Sequence, residues 1–226
     1  TEYGALAAPR AKNITVREGR LDYEEIKALV KGYDLLVSAV HPYAAVIIGN
    51  LKKAAKETGI ELLRLIREEK PSEAAINVSC IAEAAAYLSD KEGNILVTTG
   101  GKEIAPYTRI PGFSERVYLR VLPTADIIRH CRRLGFSNSR LICMQGPFTE
   151  ALNRALIEQI NARFLVTKDS GSSGGYAGKI EAARKAGIQV LRIARPAGDE
   201  GFSFGELMKL LDRKYSAVSG GSGKRK

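Results

Sequence analysis

Short apolar runs alternate with longer stretches of helical periodicity along most of the chain. The runs lie at 35–40 (LLVSAV), 61–66 (ELLRLI), 76–80 (INVSC), 95–99 (ILVTT), 116–122 (RVYLRVL), 141–144 (LICM), 164–167 (FLVT) and 189–194 (QVLRIA). Their length and β-branched content predict strands. NITVREG at 13–19 is a weaker, more polar strand candidate. Between the runs, apolar residues recur at helical spacing, as in Tyr43–Thr58, Thr124–Leu134, Phe148–Asn161 and Ala177–Ala186. Gly59, Gly135 and Gly187 each stand just past such a stretch, where a left-handed C-cap is wanted. Alternation of this kind predicts an α/β protein with parallel sheets covered by helices. The polar stretch Ser89–Asn94 (SDKEGN) is the expected domain boundary.

Composition narrows the class. A chain of 226 residues suits one large or two small domains. No apolar run reaches membrane-spanning length, so a globular protein is expected. The chain does not begin with Met and opens with no basic-then-apolar signal region. Cys80, Cys131 and Cys143 lie far apart without a CxxC, which reads as ordinary thiols in a reducing, cytoplasmic setting. The formal net charge is +10. Part of it sits in Lys224, Arg225 and Lys226, at the end of a Gly/Ser tail (216–226) expected to be disordered. The remaining surplus favours an anionic partner, either nucleic acid or a polyanionic small molecule.

The segments that follow the strands carry the candidate chemistry. They are HPYA after the 35–40 run, TTGGK after Val97, LPT after the 116–122 run, QGPFTE after Met144, KDSGSSGG after Thr167, and RP after Ala194. Ligands of open parallel sheets bind outside the carboxyl ends of the strands, and five of these six segments fall in the second half. Gly-rich turns expose backbone N–H groups that form anion-binding nests, and a following helix strengthens them. Such a set suits phosphate. Neither GxGxxG nor GxxxxGK[ST] is present. There is no metal-ligand clustering and no Ser-His-Asp order, and no residue identifies itself as catalytic. His41, ahead of Pro42 at a strand end, is a site candidate, whereas His130 and the run Arg129, Arg132, Arg133 read as a solvated helix face. No interleaved aromatics or nucleic-acid signature accompany that run, so nucleic acid is not the expected partner.

HPYA (His41–Ala44), Asn50 and LRLIRE (Leu63–Glu68), then TTGGK, RVLP (Arg120–Pro123), QGPFTEALN (Gln145–Asn153), VTKDSGSSGG (Val166–Gly175) and Arg195-Pro196 occur in one order. With TEYGA at Thr1–Ala5 and GRLD at Gly19–Asp22, this pattern resembles the precorrin-6A reductase family of cobalamin (corrin ring) biosynthesis. The resemblance covers about residues 1–196. It departs from the family at Ser38-Ala39-Val40, where Asp-Ala-Thr is usual, and at Gly178, where an acidic residue is usual. Family members also begin with a further strand, turn and helix ahead of the stretch that matches Thr1.

The resemblance implies two Rossmann-like domains, the first incomplete: 1–90 on the substrate side and 91–215 on the coenzyme side. It implies a cytoplasmic enzyme that uses NADPH to reduce one ring double bond of precorrin-6A, giving precorrin-6B. Thr98, Thr99, Gly100, Gly101, Lys102, Gln145, Gly146, Pro147, Phe148, Lys168, Asp169, Ser170, Gly171, Gly174 and Gly175 are then expected to hold NADPH. Arg20, Arg64 and Arg67 are expected to anchor the carboxylates of the tetrapyrrole, with His41 and Tyr43 lining its site, because guanidinium forks suit carboxylates. The partner is a polycarboxylate tetrapyrrole rather than nucleic acid or membrane, and hand-over of product to the next pathway enzyme fits the same picture. The alternative is a nucleotide- or tetrapyrrole-binding remnant with impaired turnover.

Overall fold

The computed structural model describes residues 11–66, 75–169, 175–195 and 200–219. All eight predicted runs form strands, whereas residues 13–19 are exposed chain outside any strand. The chain divides into two compact units: Thr1–Ile66 with Glu200–Lys226, and Arg67–Asp199. The expected boundary near residue 90 therefore falls inside the second unit. The SDKEGN stretch is only the connection between a helix and the next strand.

In the first unit, helix α1 (Tyr23–Val30) is opened by a capping box. Asp22 accepts from Glu25 N at 2.9 Å, and Glu25 accepts from Asp22 N at 2.8 Å. Strand β1 (Leu35–Ser38) leads to α2 (Ala45–Thr58), which ends at left-handed Gly59 as expected, and then to β2 (Glu61–Arg64). Ile26 and Val30 of α1 pack on Ala54 of α2, with Leu36, Ile47 and Leu51 around them. β1 and β2 pair in parallel, with Ser38 opposite Arg64. Leu65 forms a further parallel bridge to Phe202. That bridge, with an ion pair between Lys214 and Glu61, ties the C-terminal helix α8 (Phe204–Ser219) to this unit and not to the second half. α8 also runs into the stretch expected to be a disordered tail, because after Gly205 in its first turn no glycine or proline occurs before Gly220. Gly201 is a forced choice. A Cβ there would sit 2.3 Å from the Arg64 carbonyl oxygen.

The second unit is one six-stranded sheet among the described residues, parallel throughout. Its elements run β3 (Ala75–Val78), α3 (Ile81–Leu88), β4 (Asn94–Val97), a 3₁₀ turn (Ala105–Arg109), α4 (Phe113–Arg116), β5 (Val117–Val121), α5 (Ala125–Arg133), β6 (Leu141–Cys143), α6 (Glu150–Gln159), β7 (Ala162–Lys168), α7 (Tyr176–Lys185) and β8 (Gln189–Ile193). The spatial order is β3-β8-β7-β4-β5-β6. β4, β5 and β6 step in one direction, while β7 returns to the other side of β4 and β8 continues outward. The order reverses between β4 and β7, and a crevice at such a switch point is where ligands of open α/β sheets bind. On one face, Leu96, Ala162, Leu165 and Val190 pack under Ile157 and Ile160 (α6 and its cap) and Ala182 and Ala183 (α7).

Candidate functional site

Parallel pairing puts every carboxyl end of the second sheet on one edge, so the segments singled out from sequence share that edge. At the switch point, Thr98 N and Oγ1 both donate to the Val166 carbonyl, at 2.8 and 3.1 Å, which fixes the β4 tip to β7. Thr99 Oγ1 shares a hydrogen bond of 3.3 Å with the buried Tyr107 hydroxyl, whose pKa burial pushes far up. Gly100 then takes a φ of +88°, a left-handed value that disfavours any side chain. Gly101 is buried, and a Cβ on it would lie 2.5 Å from Ile127 Cγ2 of α5. The TTGG turn is thus drawn tightly against α5. Lys102 is exposed beyond it.

Across the switch point, Lys168 Nζ meets Glu103 Oε2 at 2.8 Å. Asp169 is fully buried, its carboxylate 3.2 Å from Arg192 NH1 and 3.5 Å from Arg195 NH2. It was expected to touch coenzyme directly. In the structure it is the counter-ion of two arginines. Gln145, Gly146 and Pro147 form an exposed turn after β6. The Phe148 ring lies flat on the Arg120 guanidinium, 4.1 Å from ring centre to Cζ. Gly175 caps α7 in the left-handed region at φ +66°. Ser170, Gly171 and Gly174 lie outside the described residues.

Behind this edge runs a polar row that, Thr98 apart, sequence reasoning left unassigned. Asn77 pairs with Arg192, and Arg192 with Thr167. Thr98 and Arg120 continue the row one step beyond the registered Val97 positions. By strand alternation this row occupies the face that carries Leu96, Leu165 and Val190, one layer nearer the carboxyl edge. Arg192 Nε donates to Asn77 Oδ1 at 2.9 Å, and Arg120 NH1 to Asn153 Oδ1 at 2.7 Å. Lys179 Nζ reaches Thr167 Oγ1 at 3.4 Å. Burial brings the Arg120 pKa down to about 10. Burial, helped by the charge of Arg120 and opposed by that of Asp169, brings the Lys179 pKa down to about 8. A charged residue inside an apolar parallel strand is a signal available from sequence, because such strands are covered on both faces and the charge must find a partner there.

In the first unit, β1 and β2 likewise present their carboxyl ends together. His41 and Tyr43 form a turn there. Tyr43 N donates to His41 Nδ1 at 3.5 Å, and the two rings lie 5.4 Å apart. Arg64, an expected carboxylate anchor, is buried. Its NH1 donates to both the carbonyl and the hydroxyl of Ser38, each at 3.2 Å. Ser38 is one of the departures noted above, and its hydroxyl fits this contact. Arg20 is on exposed chain just before the α1 cap, and Arg67 lies outside the described residues. Among the described residues there is no group of three His, Cys, Asp or Glu able to hold a metal, and no helix long and apolar enough to cross a membrane.

Comparison with known proteins adds three findings. Residues 1–212 match the family described as precorrin-6x reductase CbiJ/CobK. The chain is 35% identical over 205 residues to a cobalt-precorrin-6A reductase of Priestia megaterium, covering 87% of this chain and 79% of that protein. It is 33% identical over 218 residues to a cobalt-precorrin-6A reductase of Methanothermobacter thermautotrophicus, covering 94% and 72%. Among solved structures, a CobK precorrin-6A reductase superimposes with a TM-score of 0.73 at 23% identity, covering 92% of this chain and 83% of that one, so the fold is shared.

Proposed function

Because the chain belongs to the precorrin-6x reductase (CbiJ/CobK) family, we propose that it reduces one ring double bond of precorrin-6A, or of its cobalt-bearing form, with NADPH as reductant. The observation that carries this reading is the family match along residues 1–212. The switch-point crevice supports it independently. A tight Gly-Gly turn, a strand-tip lysine and two buried cations form a donor set that fits a polyphosphate coenzyme.

Bound NADPH supplies a hydride to one ring carbon, and a proton from another source must join the neighbouring carbon. In our reading the chain contributes binding and orientation. Thr98, Thr99, Gly100, Gly101 and Lys102, the Gln145–Phe148 turn, Lys168 and the Ser170–Gly175 stretch hold the coenzyme in the second unit. Asp169 keeps Arg192 and Arg195 in place beside them. Arg20, His41, Tyr43, Arg64 and Arg67 serve the tetrapyrrole in the first. The enzyme works in the cytoplasm and passes precorrin-6B to the next pathway enzyme.

Anaerobic incubation with NADPH and precorrin-6A should consume reduced nicotinamide and yield a dihydro product. A folded chain that binds NADPH but leaves both precorrin-6A and its cobalt form unchanged would overturn the reading. Lys168→Ala should weaken NADPH binding by about 1.5–3 kcal/mol, the range for a hydrogen bond to a charged group. Glu103→Gln, which removes the carboxylate beside Lys168, should not weaken it. Titration by coenzyme fluorescence measures both.

A further inference from the structure

We propose that Arg120 and Lys179 form a buried oxyanion subsite at the carboxyl edge of the second unit, beside the Gly146–Phe148 turn and the first turns of α6 and α7. The proposal rests on the reading above and names a subsite within it.

Both cations are more than nine-tenths buried, with exposures of 6% and 7%. Neither makes an ion pair among the described residues. The carboxylates around them have other cations: Asp169 faces Arg192 and Arg195, and Glu150 Oε2 meets Lys185 at 2.9 Å while its buried Oε1 has no partner among the described residues. Lys179 has three N–H donors, and among the described residues its one hydrogen bond is the long one to Thr167. Arg120 has five, and among the described residues its one hydrogen bond goes to Asn153. That acceptor is held in place, because Asn153 Nδ2 donates to the Thr149 carbonyl at 2.7 Å. The guanidinium also lies over the Phe148 ring, its Cζ 4.1 Å from the ring centre. Burying two like charges together opposes folding, and an anion that receives their donors removes that penalty.

The backbone around the pair favours the same ligand. α6 and α7 are ten residues each. A Cβ on Gly178 would lie 3.6 Å from Glu150 N, so their first turns adjoin. The positive ends of two helix dipoles therefore lie beside two positive side chains. Phosphate and carboxylate both answer this chemistry. The source is either a coenzyme phosphate or a ring carboxylate of the tetrapyrrole.

The groups acting on the Lys179 ammonium are Arg120 from β5, Thr167 from β7 and Asp169 just past that strand; Arg192 lies on the same face of β8, and Glu150 and Asn153 of α6 adjoin neighbouring Gly178. With its pKa near 8, the ammonium begins to lose its proton just above neutrality. Anion affinity should then fall about tenfold for each pH unit above about 8.

The test uses the full chain as wild type, Arg120→Gln and Lys179→Met. Calorimetry follows inorganic pyrophosphate, NADPH and uroporphyrin, an octacarboxylate probe. Each variant should lose about 10- to 100-fold in pyrophosphate affinity. A parallel loss for NADPH with uroporphyrin unchanged identifies a coenzyme phosphate as the source. Loss for uroporphyrin with NADPH unchanged identifies a ring carboxylate. Equal affinities for all three probes in variants with native circular dichroism would overturn the subsite. Lys179→Met, which removes the second cation, decides the matter even if Arg120→Gln does not fold. A subsite that fails while wild type still oxidises NADPH with precorrin-6A leaves the family activity standing. Pyrophosphate binding without that turnover does the reverse.

Discussion

Asp169→Ala is expected to cost the second unit about 3–5 kcal/mol of unfolding free energy at neutral pH. The carboxylate is fully buried, and it faces Arg192 and Arg195 at once. Removing it leaves two guanidiniums in a poorly solvated place with a cavity between them. Asn77 gives Arg192 one neutral acceptor, which does not neutralise the charge. Asp169→Asn should fall between wild type and alanine, because it preserves volume and loses charge. Urea unfolding should show the loss as a lower midpoint with an unchanged slope. A shift below about 1 kcal/mol, the median for exposed pairs, would mean that the carboxylate is effectively solvated.

Lys179→Met should act in the opposite direction and stabilise the ligand-free second unit by roughly 3 kcal/mol at neutral pH. The drop in pKa from 10.5 to about 8, at about 1.4 kcal/mol per pH unit, sets that size. Burial penalises the ammonium, so the folded form gives up its proton first. Between about pH 8 and 10.5 the unfolded chain holds more protons, and wild-type stability should rise with pH across that window. Below about pH 8 the penalty is fully present. The gap between wild type and Lys179→Met should therefore be widest near neutrality and close toward about pH 10.5. If the variant is less stable than wild type at pH 7, the ammonium has a better partner than Thr167. A variant that gains stability while losing anion affinity is the signature of a residue retained for binding.

These two residues also show why the site was only partly legible beforehand. The strands were readable because parallel sheets bury both faces, and ILVTT, FLVT and QVLRIA therefore stand out as nearly unbroken apolar runs. The loops were readable because glycine, serine and lysine have no reason to follow such runs unless something is held there. Arg120, Arg192 and Lys179 were harder. One cation in a strand or helix looks like a solvent-facing position until the covering elements are known. Asp169 lay in the right loop, but whether a carboxylate faces a ligand or an arginine depends on Arg192, which is 23 residues away. The burial of Arg64 was hidden for a similar reason, since its partner Ser38 comes from the neighbouring strand. The boundary failed because β3 precedes the polar SDKEGN stretch yet pairs with β8, the last strand of the sheet.

The chain's route through its two units also constrains its synthesis. The first unit draws on residues up to Ile66 and again from Glu200, so its coding sequence is split around the whole of the second. On the ribosome the early piece emerges with α1, β1, α2 and β2, and then waits while the second unit is made. Phe202 and α8, which complete it, emerge only after the whole of the second unit. The second unit can close its sheet as soon as β8 is free to meet β3. The first can only finish once Phe202 and α8 have followed, and its partly built sheet edge stays open for the intervening time, when chaperone contact or association with another nascent chain competes with correct closure.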